Sequence, residues 1–231
     1  MMKKMVLSLG GSVLLRDDDN SEFIRNIADI LISNSENSRM IIVCGGGKTA
    51  RRYIETARST GSDEASLDWI GIYATRLNAF LMLSALGDEP YPKPFTSMEE
   101  AIAFSASHRI VVGGGTHPGH TTDAVAALIA ERWGADIFLN LTATDGVYTS
   151  DPNLDPDAKR IERMTPAELV RLTSKISRSA GSHSPMDPLA SVIVRRASIE
   201  TLVMDGRDLQ SVSSAMSGED FTGTRIIGRD A

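Results

Sequence analysis

The stretch Ile110-Val111-Val112-Gly113-Gly114-Gly115-Thr116-His117-Pro118-Gly119-His120-Thr121-Thr122-Asp123-Ala124-Val125-Ala126 passes from a short apolar run into glycines, then through a Thr/His/Pro turn into an alanine-rich segment. An apolar run of strand type, a glycine break and a helical pattern to about Arg132 read as strand, tight loop and helix start. Glycine lets backbone N–H groups approach a ligand, the hydroxyls of Thr116, Thr121 and Thr122 add donors, and a helix N-terminus carries partial positive charge. The combination suits a phosphate, although an ordinary strand-to-helix turn that uses glycine only for its dihedrals has the same outline.

The chain repeats this device. Ile41-Ile42-Val43-Cys44 runs into Gly45-Gly46-Gly47-Lys48, with Thr49-Ala50-Arg51-Arg52 heading another helical stretch, and Val6-Leu7-Ser8-Leu9 runs into Gly10-Gly11-Ser12. Glycine-rich exits recurring at strand ends point to a common crevice at the carboxyl edge of one sheet, where open α/β folds hold their ligands. Neither the dinucleotide glycine fingerprint nor the Walker lysine loop occurs, which excludes the two commonest phosphate loops.

At 231 residues with 42% apolar side chains, the chain has enough material for one large α/β domain or two lobes sharing a sheet, folded throughout. A net charge of −6 argues against general affinity for nucleic acid or an anionic membrane, so a phosphate must be met by local cations and backbone dipoles. Cys44 is the only cysteine, which removes intramolecular disulfides and an all-thiolate zinc site and fits a reducing cytoplasm. The start, Met1-Met2-Lys3-Lys4-Met5, leads into an apolar run too short for a signal peptide and reads as the first strand. No window approaches the roughly 18 apolar residues of a membrane span.

Along the chain, Asp17-Asp18-Asp19-Asn20-Ser21 reads as a solvated loop and helix cap ahead of Phe23, Ile24, Ile27, Ile30 and Leu31 at helical spacing. A longer helical stretch over 65–86 carries Leu67, Trp69, Ile72, Tyr73, Leu77, Phe80 and Leu83 on more than one face, which predicts either a central position or packing against a second subunit. Strands and helices then alternate as far as a strand over 135–141, predicting a mainly parallel sheet with helices on both faces. Residues 142–156 are rich in turn formers and read as a long loop of the kind that carries function. Thr165-Pro166-Ala167-Glu168 has the capping-box pattern, a helix follows the polar loop 181–188, and strands are expected over 201–204 and 223–227.

Phosphoryl transfer asks a protein chiefly to align two substrates and to neutralise the charge on the moving group. Lys48 and Arg51 follow the second glycine loop and can reach an anion held there, or they form a solvated helix face. Arg76 lies inside the apolar helix, where its charge needs an acidic partner or a substrate phosphate. Asp187, just before Pro188, suits a helix N-cap, and as a carboxylate it can orient a lysine or hold magnesium beside phosphates. His117 and His120 have no third ligand at metal spacing, so no protein metal site is expected, and no nucleophile elbow is present.

Gly10-Gly11-Ser12, Gly45-Gly46-Gly47-Lys48 with Arg51, the run from Gly114 to Ala124, Thr144-Asp145-Gly146-Val147-Tyr148-Thr149-Ser150-Asp151-Pro152 and Asp187-Pro188-Leu189-Ala190 together resemble the amino acid kinase superfamily, most closely its archaeal-type uridylate branch. The likeness runs in order over essentially the whole chain. It implies a three-layer αβα sandwich with a central, mainly parallel sheet, an acceptor lobe over 1–134 and an ATP lobe over 135–231. It also implies reversible transfer of the ATP γ-phosphoryl group to UMP, giving UDP in pyrimidine nucleotide biosynthesis, with magnesium and in a homohexamer of three dimers. On the matching positions, Gly46, Asp68, Thr116, His117, Pro118, Gly119, His120, Thr121 and Thr122 are expected at UMP, and Gly11, Ser12, Gly47, Arg51, Thr142, Tyr148 and Asp151 at ATP. Lys48, Arg51 and Asp187 are the expected catalytic groups.

Three positions depart from the wider pattern. Ser8 stands where many superfamily kinases have lysine, Ala143 where related kinases often have Asn, and His183 and Pro185 alter a loop that is usually serine-rich. Two rival readings follow: a kinase for another small phosphate such as isopentenyl phosphate, or a nucleotide-binding regulatory or storage protein that has lost catalysis.

Overall fold

The computed structural model describes residues 2–15, 20–152, 154–176 and 186–227. The expectations for Asp17, Asp18 and Asp19 and for His183 and Pro185 fall outside them. A seven-stranded sheet forms the middle layer, in the order β3 (Ile110–Gly113), β2 (Ser38–Cys44), β1 (Lys3–Leu9), β4 (Ile137–Thr142), β8 (Glu200–Asp205), β9 (Thr224–Ile226), β7 (Arg163–Met164). The first five are mutually parallel, β9 runs antiparallel to β8, and β7 is parallel to β9. The sheet is therefore mainly parallel, as the alternating pattern predicts.

Strands buried on both faces need apolar side chains at every position, and the sequences KKMVLSL, SRMIIVC and IFLNLT come close to that. Leu7, Leu9, Ile42, Cys44, Leu139 and Leu141 project to one face. There they meet α2 (Ser21–Ser35), α4 (Glu64–Leu86) and α9 (Leu209–Ser217). Val6, Ile41, Val43, Val111, Phe138 and Val203 project to the other and pack on α5 (Met98–Phe104), α6 (Thr122–Trp133) and α8 (Pro188–Ala197), which completes a three-layer sandwich. Ser8 and Asn140 break the apolar pattern, and they lie opposite each other on neighbouring strands.

The structure corrects the sequence reading in four places. The turn α1 (Gly11–Leu14) and helix α9 were not expected, being short and, for α9, serine-rich. Within the region read as a long loop, β5 (Val147–Tyr148) pairs antiparallel with β6 (Arg160–Ile161), a two-residue ladder too short to leave a periodic signal. Helix α4, at 23 residues, is long and apolar enough by length and composition to cross a membrane, contrary to the expectation that no window approaches one. In this fold it packs between α3 (Gly47–Ser59) and the sheet and buries Thr75 and Asn78 as hydrogen-bonding groups.

Candidate active site

Parallel register brings the exits of five strands to one rim. Leu9 lies beside both Cys44 and Leu141, Val43 beside Gly113, and Thr142 beside Asp205. The exits are stitched together by Gly10 N–H to the Leu141 carbonyl at 2.9 Å, Gly45 N–H to Leu9 at 2.8 Å and Gly206 N–H to Thr142 at 2.9 Å. Two glycine turns touch through their backbones: a Cβ placed on Gly11 would lie 2.2 Å from the Gly47 nitrogen and 2.6 Å from the Gly45 oxygen. Gly47 also has φ +59, a conformation that side-chain-bearing residues resist. The separate glycine signals thus meet along one rim of the sheet.

On one side of it, the 114–119 loop is held from α4. Thr75 Oγ1 accepts from Gly115 N–H at 2.7 Å, and Asp68 Oδ2 accepts from Gly119 N–H at 2.7 Å. Asn78 Nδ2 donates to the Gly45 carbonyl at 2.6 Å, which ties the same helix to the second glycine turn. Of the partners the sequence reading offers for Arg76, an acidic one is present at a distance: the Glu100 carboxylate is near enough for the two charges to interact. At hydrogen-bond range its Nε donates to the Gly115 carbonyl and its Nη2 to the Thr96 carbonyl, both at 3.2 Å, so peptide dipoles meet the charge directly.

Thr116 is buried, His117, Gly119, His120 and Thr121 are exposed, and Thr121 caps α6 by accepting from Ala124 N–H at 3.2 Å. His117 and His120 line a small cavity of about 90 Å³ with Met98, Glu99, Thr116, Val125 and Leu128. Nucleotide-sized ligands need several hundred Å³, so this niche is too small to enclose one. Lys48 and Arg51 stand on the first turns of α3, both exposed and three residues apart on one face.

On the other side, Tyr148 Oη donates to Asp145 Oδ1 at 2.6 Å, and Arg160 Nη1 reaches Asp145 Oδ2 at 2.8 Å. Burial alone lifts the Asp145 carboxyl, but the hydrogen bonds from Tyr148 and Arg160 outweigh it and hold the group below its ordinary value. Asp151 lies in the following turn, its carbonyl accepting from Leu154 and Asp155 N–H at 3.0 and 2.9 Å. The Ala143 carbonyl accepts from Arg207 Nη2 at 2.7 Å while the same guanidinium forks onto Asp205.

Asp187 caps α8, accepting from Ala190 N–H at 2.9 Å. Beside it stands Asp123, which sequence reasoning did not single out. Ser8 Oγ donates to Asp123 Oδ1 at 2.7 Å, and the Asn140 side chain and the Asp187 backbone N–H donate as well. Burial pushes the Asp123 carboxyl up, the Asp187 charge adds to the rise, and the three donors oppose it. In the sequence this residue reads as an acid favoured by the helix dipole. The usable signal was the pair Ser8 and Asn140, polar groups in otherwise apolar strands. Among the described residues, no group of three or more His, Cys, Asp or Glu converges as a metal cage.

The amino acid kinase family model matches residues 3–205. The chain is 49% identical to a uridylate kinase from Methanospirillum hungatei over 97% of its length and 95% of the relative's. It is 46% identical to one from Methanococcoides burtonii, covering 97% and 99%. The crystal structure of uridylate kinase from Archaeoglobus fulgidus superimposes with a TM-score of 0.88 at 44% identity, covering 96% of this chain and 99% of that one. A UMP kinase from Bacillus anthracis shares the fold, with a TM-score of 0.80 at 24% identity.

Proposed function

Since the chain belongs to the amino acid kinase family, we propose that it is a UMP kinase, moving the γ-phosphoryl group of ATP to UMP and yielding UDP and ADP. The observation that carries this reading is the backbone contact between the Gly11 and Gly45–Gly47 turns, which joins a donor-side and an acceptor-side anion cradle in one crevice. Such a crevice lets two phosphate chains meet end to end, as in-line transfer requires.

In this reading UMP lies along Gly46, Asp68 and the 116–122 loop, with the free oxygen of Asp68 accepting from ribose hydroxyls. ATP lies over Gly11, Ser12, Gly47, Thr142, Tyr148 and Asp151, with Arg51 and Lys48 beside its phosphates to offset charge. Asp187, with the Asp123 carboxylate near enough to feel its charge, would hold a magnesium ion, for which one or two protein carboxylates suffice beside substrate phosphates. When bound, the ion supplies charge neutralisation on the phosphates. Residues 1–134 serve as the acceptor lobe and 135–231 as the ATP lobe, with the division passing between β1 and β4.

The protein works as an oligomer in this proposal, a homohexamer built from dimers. Tyr73, Leu77 and Phe80 of α4 are 63%, 62% and 56% exposed beside an exposed Tyr53 of α3, an apolar face that a second copy would cover. A single, fully buried cysteine suits the reducing cytoplasm. A coupled assay of UDP formation with ATP and magnesium, run against UMP, CMP and isopentenyl phosphate, tests the function. Turnover of UMP well above the others is expected; binding of nucleotides with no turnover of any acceptor would instead favour the regulatory reading.

A further inference from the structure

Three side chains of α4 grip the backbone of the 114–119 loop, and they do so differently. Thr75 and Asp68 accept from N–H groups, of Gly115 and Gly119 respectively. Arg76 alone among the three takes a carbonyl, that of Gly115, so this glycine is held on both sides of its Cα from successive residues of one helix. The second arm of Arg76 reaches the Thr96 carbonyl in a separate segment. Thr96 is itself fixed, because its N–H and its hydroxyl both donate to Glu100 Oε2 at 2.8 Å. The guanidinium also lies over the Tyr73 ring, 5.8 Å from its centroid, and is only partly exposed.

A run of three glycines ahead of a ligand loop is expensive to order, since glycine loses more backbone freedom than any other residue. Charged donors make stronger hydrogen bonds than neutral ones, and the rigid fork of arginine loses little freedom in making two. We infer that Arg76 is a positioning residue for the acceptor nucleotide: it clamps the Gly115 carbonyl to α4 and to the Thr96 segment, so that the 116–122 loop is already ordered when UMP arrives. This inference rests on the assignment of that loop to UMP under the proposed function. Arg76 acts here through the backbone it holds, without touching the nucleotide. Its removal therefore lowers the fraction of protein competent to bind UMP and leaves the donor side unaltered.

Steady-state kinetics of Arg76→Ala and Arg76→Lys, together with amide hydrogen exchange of the nucleotide-free proteins, test this. Arg76→Ala is expected to raise KM for UMP about tenfold while kcat and KM for ATP stay within about twofold. Arg76→Lys keeps the charge and loses the fork, and is expected to recover less than half of the loss. Exchange over 113–119 should quicken in Arg76→Ala with 142–151 unchanged, a readout that needs no substrate. Unchanged exchange over 113–119, a KM for ATP that rises in step with that for UMP, or full recovery by lysine would each overturn the inference. Faster exchange in a protein that never turns over UMP would remove the acceptor assignment and keep the clamp, so the two failures read differently.

Discussion

Gly11 has no room for one added carbon, because the atoms facing it are the backbone of Gly45–Gly47 and cannot rotate away. Gly11→Ala is therefore expected to force the two turns apart, costing roughly 1–3 kcal/mol by denaturant unfolding. It should lower turnover by more than that loss of stability explains. Asp123 behaves in the opposite sense. Its raised folded-state value means that the folded protein holds a proton more tightly than the unfolded chain does. The resulting stability is fully present below the ordinary carboxyl value of about 3.9 and declines as pH rises through the folded-state value. Asp123→Asn keeps an oxygen for Ser8 and should raise the melting temperature at neutral pH. The gain should shrink as pH falls toward about 4, and turnover should drop; thermal melts across that range with parallel assays check both. Cys44 lies at the end of β2 with its thiol pushed up to about 12 by burial, so iodoacetamide should leave the native protein unmodified and label it promptly in denaturant.

At the level of elements, the caps can be separated from the chemistry. Asp187→Ala removes the acceptor for Ala190 N–H and is expected to cost about 1 kcal/mol of stability together with activity. Asp187→Asn retains a capping oxygen and loses the charge, so unchanged stability with reduced turnover would assign the charge to function and the oxygen to the helix. Caps of this kind were legible in the sequence. Thr165 and Glu168 exchange side-chain-to-backbone hydrogen bonds at 2.7 and 3.3 Å, as their spacing predicts, and the second and central glycine exits lead into α3 and α6 where the pattern places helices. What stayed hidden depends on contacts between distant segments. For Arg76 the sequence shows that a charge needs a partner, but not the carbonyls of Gly115 and Thr96 that its two arms reach, which lie 39 and 20 residues away. Asp123 carries no signal of its own in the sequence, because its partners Ser8, Asn140 and Asp187 come from three other segments.

For the whole molecule, the helix α4 joins two properties. One side holds the 114–119 loop and the Gly45 turn, while Tyr73, Leu77 and Phe80 lie open on another. Sedimentation at micromolar concentration is expected to give a species larger than one 24.9 kDa chain, and Leu77→Glu with Phe80→Glu should reduce its size. If the open face is a contact between copies, the same double substitution should also raise KM for UMP, since both faces belong to one rigid rod. A variant that sediments as a single chain with unaltered KM would separate association from acceptor binding.

The place of β1 in the sheet has a further consequence, for synthesis. It is made first, yet it lies between β2 and β4, whose residues begin at Ser38 and Ile137. A nascent polypeptide that has left the ribosome only as far as the end of α6 therefore exposes one flank of this buried strand, with hydrogen-bonding groups unmatched until Ile137–Thr142 emerges. A fragment released at that length should recruit chaperones or precipitate, and supplying the remaining segment in trans should rescue it.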